Sequence, residues 1–152
     1  MELKLRNEIR MYRARTYLSE DAFHVSTAIV LDVLTEMDRM MWFHVNQNLY
    51  RRGLTSLVHY LGYKFKARLN KLARNLGAKG KRMGIKPGVP DMVILSHNLT
   101  LELKKEGSKA STVQNKWMKG ARKWGWTCVV CDDPEKVLSA LSDAGILTTK
   151  DF

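Results

Sequence analysis

The sequence predicts an α/β domain with one hydrophobic core, and three observations lead to that prediction. Apolar residues recur at three- and four-residue intervals between Ser19 and Met40 and again after Ser111, which is typical of amphipathic helices. Apolar and polar residues alternate in Leu101-Glu102-Leu103-Lys104, which is typical of a strand. The chain has 152 residues, which is enough for one domain and leaves no room for a second catalytic domain.

The N-terminal part is predicted to be helical before the first strand. Residues 1–18 form an extension whose apolar spacing favours a helix, and residues 19–152 form the domain itself. Ser19 is a suitable N-cap for a helix that continues to about Met40. The segment Met41 to Asn46 is predicted to form the first strand.

A helical insertion is predicted at about residues 50–80. Apolar residues recur there at helical spacing, with basic residues on the other side and a break near Gly62. Residues 81–90 are rich in glycine and proline, which is typical of a loop because one frees the backbone and the other fixes it. This loop leads into a strand that begins at Asp91.

A β-hairpin is predicted around Ser96-His97-Asn98. Its first strand is Asp91-Met92-Val93-Ile94-Leu95, and its second contains Leu101 to Lys104. A two-residue loop of His97 and Asn98 places Asp91 opposite Lys104 and diagonal to Glu102, on one face of the hairpin. The opposite, buried face then holds Met92, Ile94, Leu101 and Leu103.

A helix, a strand and a last helix are predicted to follow the hairpin. Ser111 and Gln114 form a capping-box pattern at the start of the first of these helices. The strand is Thr127 to Cys131, and Asp133 and Pro134 begin the last helix, which ends at about Ala144. The stripe expected to be buried on the first helix consists of Val113, Trp117, Ala121 and Trp124.

The charge of the chain favours a phosphate-bearing partner. The formal net charge is +11, and no acidic residue occurs from Arg39 through Pro90. Solvated helix faces usually carry both signs, and this segment leads directly to the acidic motif at Asp91, so we interpret it as a nucleic-acid-binding region. The alternative is a solvated helix face. The residues predicted to contact DNA here are Lys71, Arg74, Lys79, Lys81, Arg82 and Lys86.

Membrane insertion and disulfide chemistry are both disfavoured. The apolar runs are too short to span a bilayer, and the N-terminus lacks the apolar region of a signal peptide, so we expect a cytoplasmic protein. Cys128 and Cys131 are three residues apart in a predicted strand and therefore face opposite ways. Two reduced core thiols are expected rather than a zinc or redox site, because no second cysteine pair exists.

The hairpin carries the residues that point to chemistry. Asp91 and Glu102 are predicted on one face, where two carboxylates repel each other unless a divalent cation lies between them. Mg²⁺ is the expected ion because it prefers oxygen ligands, and Mn²⁺ is expected to substitute for it. For Glu102 and Lys104 the plain alternative is a surface salt bridge on an exposed strand.

The ordered motifs resemble those of a known nuclease family. Pro90-Asp91 followed by Glu102-Leu103-Lys104 is similar to the signature of the PD-(D/E)XK nucleases. The surrounding residues, from Met83 to Gly88, from Ser111 to Gln114 and from Thr127 to Leu138, resemble the VRR-NUC branch in particular. The resemblance implies a restriction-endonuclease-like core, a mixed sheet flanked by helices, into which the helical insertion is built.

The resemblance also implies roles for individual residues. Asp91 and Glu102 bind the metal together with the backbone carbonyl of Leu103, and Glu20 resembles an outer metal ligand. Lys104 orients or deprotonates the attacking water. An acid at the position of Glu20 is equally favoured by the dipole of the helix it begins.

Several further candidates have two interpretations each. Gln114 can orient water or phosphate, although its capping role alone explains it. His24 can contact phosphate or be an ordinary core or surface histidine. Family members place polar residues near DNA after their first strand, where this chain has Asn46, Arg51 and Arg52. The remaining histidines, His44, His59 and His97, show no ligand spacing.

The sequence thus predicts a Mg²⁺-dependent DNA endonuclease, and the resemblance to small phage proteins implies selectivity for branched DNA such as four-way junctions. If phage-encoded, it is expected in the host cytoplasm. The alternatives are a basic nucleic-acid-binding module that does not cleave, and an RNA-directed nuclease. A homodimer formed through Leu54 to Leu76 is expected because that apolar stripe is long for one small sheet to cover; the alternative is that it packs on its own domain.

Overall fold

The computed structural model describes residues 1–16, 19–44 and 87–152. Apart from Pro87, these residues belong to one compact unit that spans Met1–Val45 and Gly88–Phe152. The predicted helical insertion, the dimer stripe and the end of the first predicted strand lie outside the described residues. So do all the predicted DNA-binding residues, from Asn46 to Lys86.

The described unit is of the α/β class, as predicted. Its helices are α1 (Glu2–Ala14), α2 (Glu20–Glu36), α3 (Thr112–Arg122) and α4 (Pro134–Asp143), and its strands are β1 (Trp42–His44), β2 (Met92–Ile94), β3 (Leu99–Leu103) and β4 (Thr127–Cys131). The strands form one mixed sheet in the order β1-β2-β3-β4. Strand β2 is antiparallel to both β1 and β3, whereas β3 and β4 are parallel. A parallel pair needs a long crossover, which α3 supplies.

One face of the sheet carries the main hydrophobic core. Leu99, Leu101 and Leu103 alternate along β3 and are fully buried in this core. Apolar residues of α1, α2 and α4 pack into the same cluster. The opposite face contributes Val93, Thr100 and Glu102, which are also buried. The sheet is therefore covered on both sides, and Glu102 is a buried acid.

The N-terminal segment is an integral part of this core. The predicted helix is present as α1, and its Leu5, Ile9 and Tyr12 are buried. The Tyr12 ring stacks on Phe23 of α2 with a centroid separation of 6.1 Å. Its hydroxyl lies 2.8 Å from the hydroxyl of Thr27, so the polar end of the ring is hydrogen-bonded. α1 and α2 are thus joined by apolar packing and by a buried hydrogen bond.

The predicted register of the hairpin is wrong by two residues. Residues Leu95–His97 form a 3₁₀ turn, and Asn98 adopts a left-handed conformation with φ 47°. This four-residue connection pairs Met92 with Leu101, so the next position along the ladder sets Asp91 opposite Glu102 rather than Lys104. A shift of two residues leaves every side chain on its predicted face, because the strand repeat is two.

The predicted buried stripe of α3 is wrong at Val113 and Trp124, whereas Trp117 and Ala121 are partly buried. Val113 is 49% exposed and Trp124 is 84% exposed, whereas Met118 is buried. The helix faces the sheet through Gln114 and Met118, which are one turn apart and lie on the same side. The capping box predicted at Ser111 and Gln114 is present and fixes where this helix begins.

Three further predictions on local structure, the two helix caps and the reduced thiols, are confirmed. Ser19 caps α2 through a hydrogen bond from the Ala22 amide, and Asp133 caps α4 ahead of Pro134. Cys128 and Cys131 are both buried and not disulfide-bonded. None of the described helices has the length and apolar character needed to cross a membrane.

Candidate active site and metal centre

The candidate site lies where β2 begins and β3 ends. Asp91 directly precedes β2, and its Oδ2 accepts a hydrogen bond of 2.9 Å from the backbone amide of Leu103. The carboxylate therefore continues the pairing of the two strands for one more residue and is held against the end of β3. Its side chain is 23% exposed, so one side of the group is open to solvent.

Gly88 fixes the approach of the loop that carries Asp91. Its φ is +84°, a region that side chains with a Cβ rarely adopt. A Cβ at this position would lie 2.6 Å from the carbonyl oxygen of Val113 and 3.0 Å from the amide nitrogen of Gln114. The loop therefore touches the first turn of α3 through backbone alone, which brings Asp91 and the start of α3 to the same site.

Glu102 is the most buried charged group of the site. Its side chain is 0% exposed, and its Oε1 lies 2.5 Å from the Lys104 ammonium. The side-chain amide of Gln114 donates to the same oxygen. Oε2 is buried and has no hydrogen-bond partner among the described residues. A carboxylate oxygen in that position carries a desolvation cost that a bound cation would remove.

The surroundings of Glu102 hold its proton more tightly than water does. Burial, and then the nearby negative charge of Asp91, raise the pKa of Glu102 from 4.5 to about 7, although Lys104 opposes the change. The carboxyl is therefore poised to gain or lose a proton near neutral pH. A cation bound beside it would favour the ionised form.

Lys104 lies between several oxygen atoms. Its Nζ is 3.1 Å from the carbonyl oxygen of Leu103, in addition to its contact with Glu102. Burial alone would lower the pKa of this ammonium, but the hydrogen bond and charge of Glu102, with weaker effects of Glu20 and Asp91, raise it above the usual value. Lys104 therefore carries its positive charge at neutral pH.

Helix α2 brings two more side chains to the site. Glu20 is in its first turn, and its Oε1 lies 3.9 Å from the Lys104 ammonium. His24 is one turn further on, and its Nε2 lies 3.5 Å from Asp91 Oδ2. Because Ser19 fixes the start of α2, the sequence also fixes the side of the helix on which these two residues stand.

Gln114 belongs to the helix cap and to the site at once. Its Oε1 accepts a 2.8 Å hydrogen bond from the amide of Ser111, as a capping box requires. Its amide nitrogen donates to Glu102. The capping role offered by the sequence is therefore present, and the other end of the same side-chain amide contacts Glu102. The orientation of water or phosphate by Gln114 stays a prediction.

One residue of the site escapes the sequence analysis. The linear spacing of His44 gave no sign of ligation, yet the structure sets its ring 5.7 Å from that of His24 in an edge-to-face arrangement. The pairing of β1 with β2 places His44 opposite Met92, the neighbour of Asp91. The sequence did not reveal this, because residues 45–90 lie between His44 and Asp91 and their proximity depends on how β1 pairs with β2.

The donor atoms at the site fall into two chemical sets. Asp91, Glu102 and the Leu103 carbonyl offer oxygen, which suits Mg²⁺, although Lys104 contacts two of these three groups in the structure. The second set consists of His24, His44 and Asp91, each of which presents one ligand atom within 4.8 Å of the others. Asp91 is common to both sets.

The chain was compared with family models, curated proteins and solved structures, and none of them matches it.

Proposed function

We propose that this protein is a metal-dependent nuclease of the PD-(D/E)XK type that hydrolyses phosphodiester bonds in DNA. The observation that carries the proposal is the buried Glu102, paired with Lys104 and lying across the hairpin from Asp91. A fully buried acid is expensive, and a surface salt bridge would not require one. Its unpartnered oxygen and its pKa of about 7 suit a group that receives a cation.

The architecture supports the same proposal. Helix α2, strands β1 to β3, helix α3 and strand β4 follow one another in the order expected for a PD-(D/E)XK core, with a mixed four-stranded sheet. In that comparison Asp91 and Glu102 lie at the positions of the metal-binding acids. The net charge of +11 favours a polyanionic substrate.

The proposed roles follow from the contacts. A Mg²⁺ ion held by Asp91, Glu102 and the Leu103 carbonyl would polarise the scissile phosphate and stabilise the charge that develops on it. Lys104 touches two of these oxygen-bearing groups, so it would have to move outward for them to hold a cation. As an ammonium it then orients the attacking water and hydrogen-bonds the phosphate, rather than acting as the base. Glu20 lies on the same side and completes the acidic surroundings.

Gln114 and His24 have positioning roles in this proposal. Gln114 fixes the rotamer of Glu102 through its hydrogen bond to Oε1. His24 lies against Asp91 and limits the directions in which that carboxylate can turn. The reaction is hydrolysis: water adds to phosphorus, the bond to the leaving sugar oxygen breaks, and the leaving oxygen ends with a proton from water.

The deciding experiment offers the purified protein labelled duplex, nicked, flap and four-way-junction DNA, and single-stranded RNA. Each substrate is incubated with Mg²⁺, with Mn²⁺ or with chelator. We expect cation-dependent cleavage, with branched DNA preferred, and none in chelator. Binding without cleavage under every condition would favour the non-catalytic binding module, and cleavage of RNA alone would favour the RNA-directed nuclease. Light scattering of the same preparation tests the proposed homodimer, whose stripe lies outside the described residues.

A further inference from the structure

Side chains from three parts of the chain meet at one side of Asp91. His24 projects from α2, His44 ends β1, and Asp91 precedes β2. A ring nitrogen of each histidine and a carboxylate oxygen of Asp91 all lie within 4.8 Å of one another. The three residues therefore surround a common point from three separate parts of the fold.

His24 supplies a second observation. Its Nε2 is buried and has no hydrogen-bond partner among the described residues. This nitrogen lies 3.5 Å from Asp91 Oδ2, which is too long for a good hydrogen bond. Burying a polar atom without a partner is costly, and a bond from this nitrogen to a metal ion would remove the cost.

The distances agree with coordination. In a tetrahedral site with bonds of about 2.1 Å, neighbouring ligand atoms are about 3.4 Å apart. The separation of His24 Nε2 and Asp91 Oδ2 is 3.5 Å, so these two atoms already have that spacing. His44 lies at the exposed end of β1, and its ring packs edge-to-face against that of His24.

The charges around these residues favour a cation. Asp91, Glu20 and Glu102 are acidic, and Lys104 contacts the last two. The oxygen set around Glu102 suits Mg²⁺, whereas two imidazole nitrogens with one carboxylate suit Zn²⁺, Mn²⁺ and their neighbours.

We infer that His24, His44 and Asp91 form a binding site for a divalent transition-metal ion beside the oxygen site at Glu102. Asp91 belongs to both sites, so its carboxylate joins two positions of different metal preference. The inference shares Asp91 with the proposed nuclease centre, but the binding of this ion can be measured without any cleavage.

Calorimetric titration with Zn²⁺ tests the site in the full chain. We expect one Zn²⁺ per chain, with affinity at least about 10-fold weaker in His44→Ala and in His24→Asn, because loss of a ligand should cost no less than loss of a supporting residue. His97→Ala is the matched control, since this histidine lies in the hairpin turn and bonds to Ser96. It should bind Zn²⁺ as the wild type does. Circular dichroism checks that each variant is folded, and the exposed His44 gives a variant that leaves the core intact.

Glu102→Gln separates the two sites. This variant should keep Zn²⁺ binding, while the cleavage proposed for Mg²⁺ is lost. The visible absorption of bound Co²⁺ gives an independent readout, because replacing His24 or His44 removes a nitrogen from the coordination sphere and changes the spectrum. Zn²⁺ affinity that is unchanged in both histidine variants, or that is reduced as much by His97→Ala, would overturn the inference. Zn²⁺ binding by a wild-type protein that cleaves nothing would leave the site standing and refute the nuclease instead.

Discussion

Two carboxylate–lysine pairs in this protein have the same chemistry and opposite behaviour. Glu102 and Lys104 are neighbours on β3, with side chains 0% and 13% exposed. Asp132 and Lys136 are one helical turn apart, with side chains 20% and 51% exposed. Burial raises the pKa of Glu102, whereas the hydrogen bond from Lys136 lowers the pKa of Asp132.

The difference shows that a nearby lysine does not by itself settle the charge of an acid. Asp132 stays well hydrated, and its partner adds a favourable interaction to an acid that is already ionised. Glu102 has lost its water, and it also faces the negative charge of Asp91, so Lys104 offsets only part of the cost. The Asp132–Lys136 pair belongs to the surface of the fold. The Glu102–Lys104 pair carries an unfavourable free energy of desolvation.

The largest expected contrast between the pairs is in catalysis. Lys104→Ala or Glu102→Gln should reduce cleavage by about 10²- to 10⁴-fold, because each removes a positioned group from the proposed centre. Lys136→Ala and Asp132→Asn should cleave as the wild type does. Single-turnover assays on a labelled four-way junction with Mg²⁺ measure this. Full activity in Lys104→Ala would show that the buried pair takes no part in cleavage. Equal losses of activity from both pairs would show that cleavage depends on the total charge and not on the position of the charged groups.

The next contrast is in stability. At pH 8, Lys104→Met leaves the buried Glu102 without its cation and should lower the free energy of unfolding by about 3 kcal/mol. The loss should be smaller at pH 5.5, where Glu102 takes up a proton. Lys136→Met should leave the urea midpoint unchanged, because an exposed pair contributes little. A large shift in the midpoint for Lys136→Met would contradict the comparison.

A second contrast in stability is expected from two glycines, Gly107 and Gly88. Gly107 donates its amide to Asp132, has φ +75°, and has open space where a Cβ would stand. Gly107→Ala should therefore cost only the left-handed backbone, about 1–2 kcal/mol. Gly88→Ala adds a collision with Val113 and should cost about 1–3 kcal/mol more. Cleavage should fall as well in Gly88→Ala, because the loop that carries Asp91 must shift. Equal urea midpoints for the two variants would show that the close approach at Gly88 is unimportant.

The most gradual expected effect is a dependence of stability on pH. Glu102 binds its proton with a pKa of about 7 in the folded protein and 4.5 as the reference value, so between these values the folded state holds more protons. The free energy of unfolding should therefore fall as pH rises from about 4.5 to 7, by at most about 1.4 kcal/mol per pH unit. Asp132, whose pKa is lowered, acts in the opposite sense, and its contribution is lost in acid. Thermal unfolding of wild type and Glu102→Gln checks this: the variant should lose the slope, and an identical slope in both would assign it to another group.

The sequence predicted those parts of the structure that depend on neighbouring residues. The caps at Ser19 and Asp133 and the capping box at Ser111 are set by one turn of chain, so their residue types suffice to identify them. Strand alternation correctly predicted the face of β3 on which Glu102 lies. The error of two residues in register did not affect this, because side chains alternate with a period of two.

Other features depend on contacts that sequence spacing does not contain. The register was wrong because the hairpin connection is a four-residue turn with a left-handed Asn98, whereas a two-residue loop was expected. The stripe of α3 was wrong at Val113 because Gln114 and Met118 face the sheet instead. It was wrong at Trp124 because the helix ends at Arg122, so helical spacing no longer applies there. His44 was missed because its partners belong to another strand and another helix. The burial of Glu102 was not predicted, because it depends on α3 covering that face of the sheet.

The two cysteines give this protein a built-in chemical reporter. Burial, and then the charge of Asp133, raise the pKa of the Cys131 thiol to about 12, so it scarcely forms the thiolate that alkylating reagents attack. Cys128 is buried on the α3 side of β4, where its sulfur lies 3.8 Å from the carbonyl of Met118. Timed alkylation followed by mass spectrometry therefore distinguishes two kinds of opening. Modification at Cys128 alone records α3 lifting from the sheet, whereas modification at both cysteines records opening of the main core.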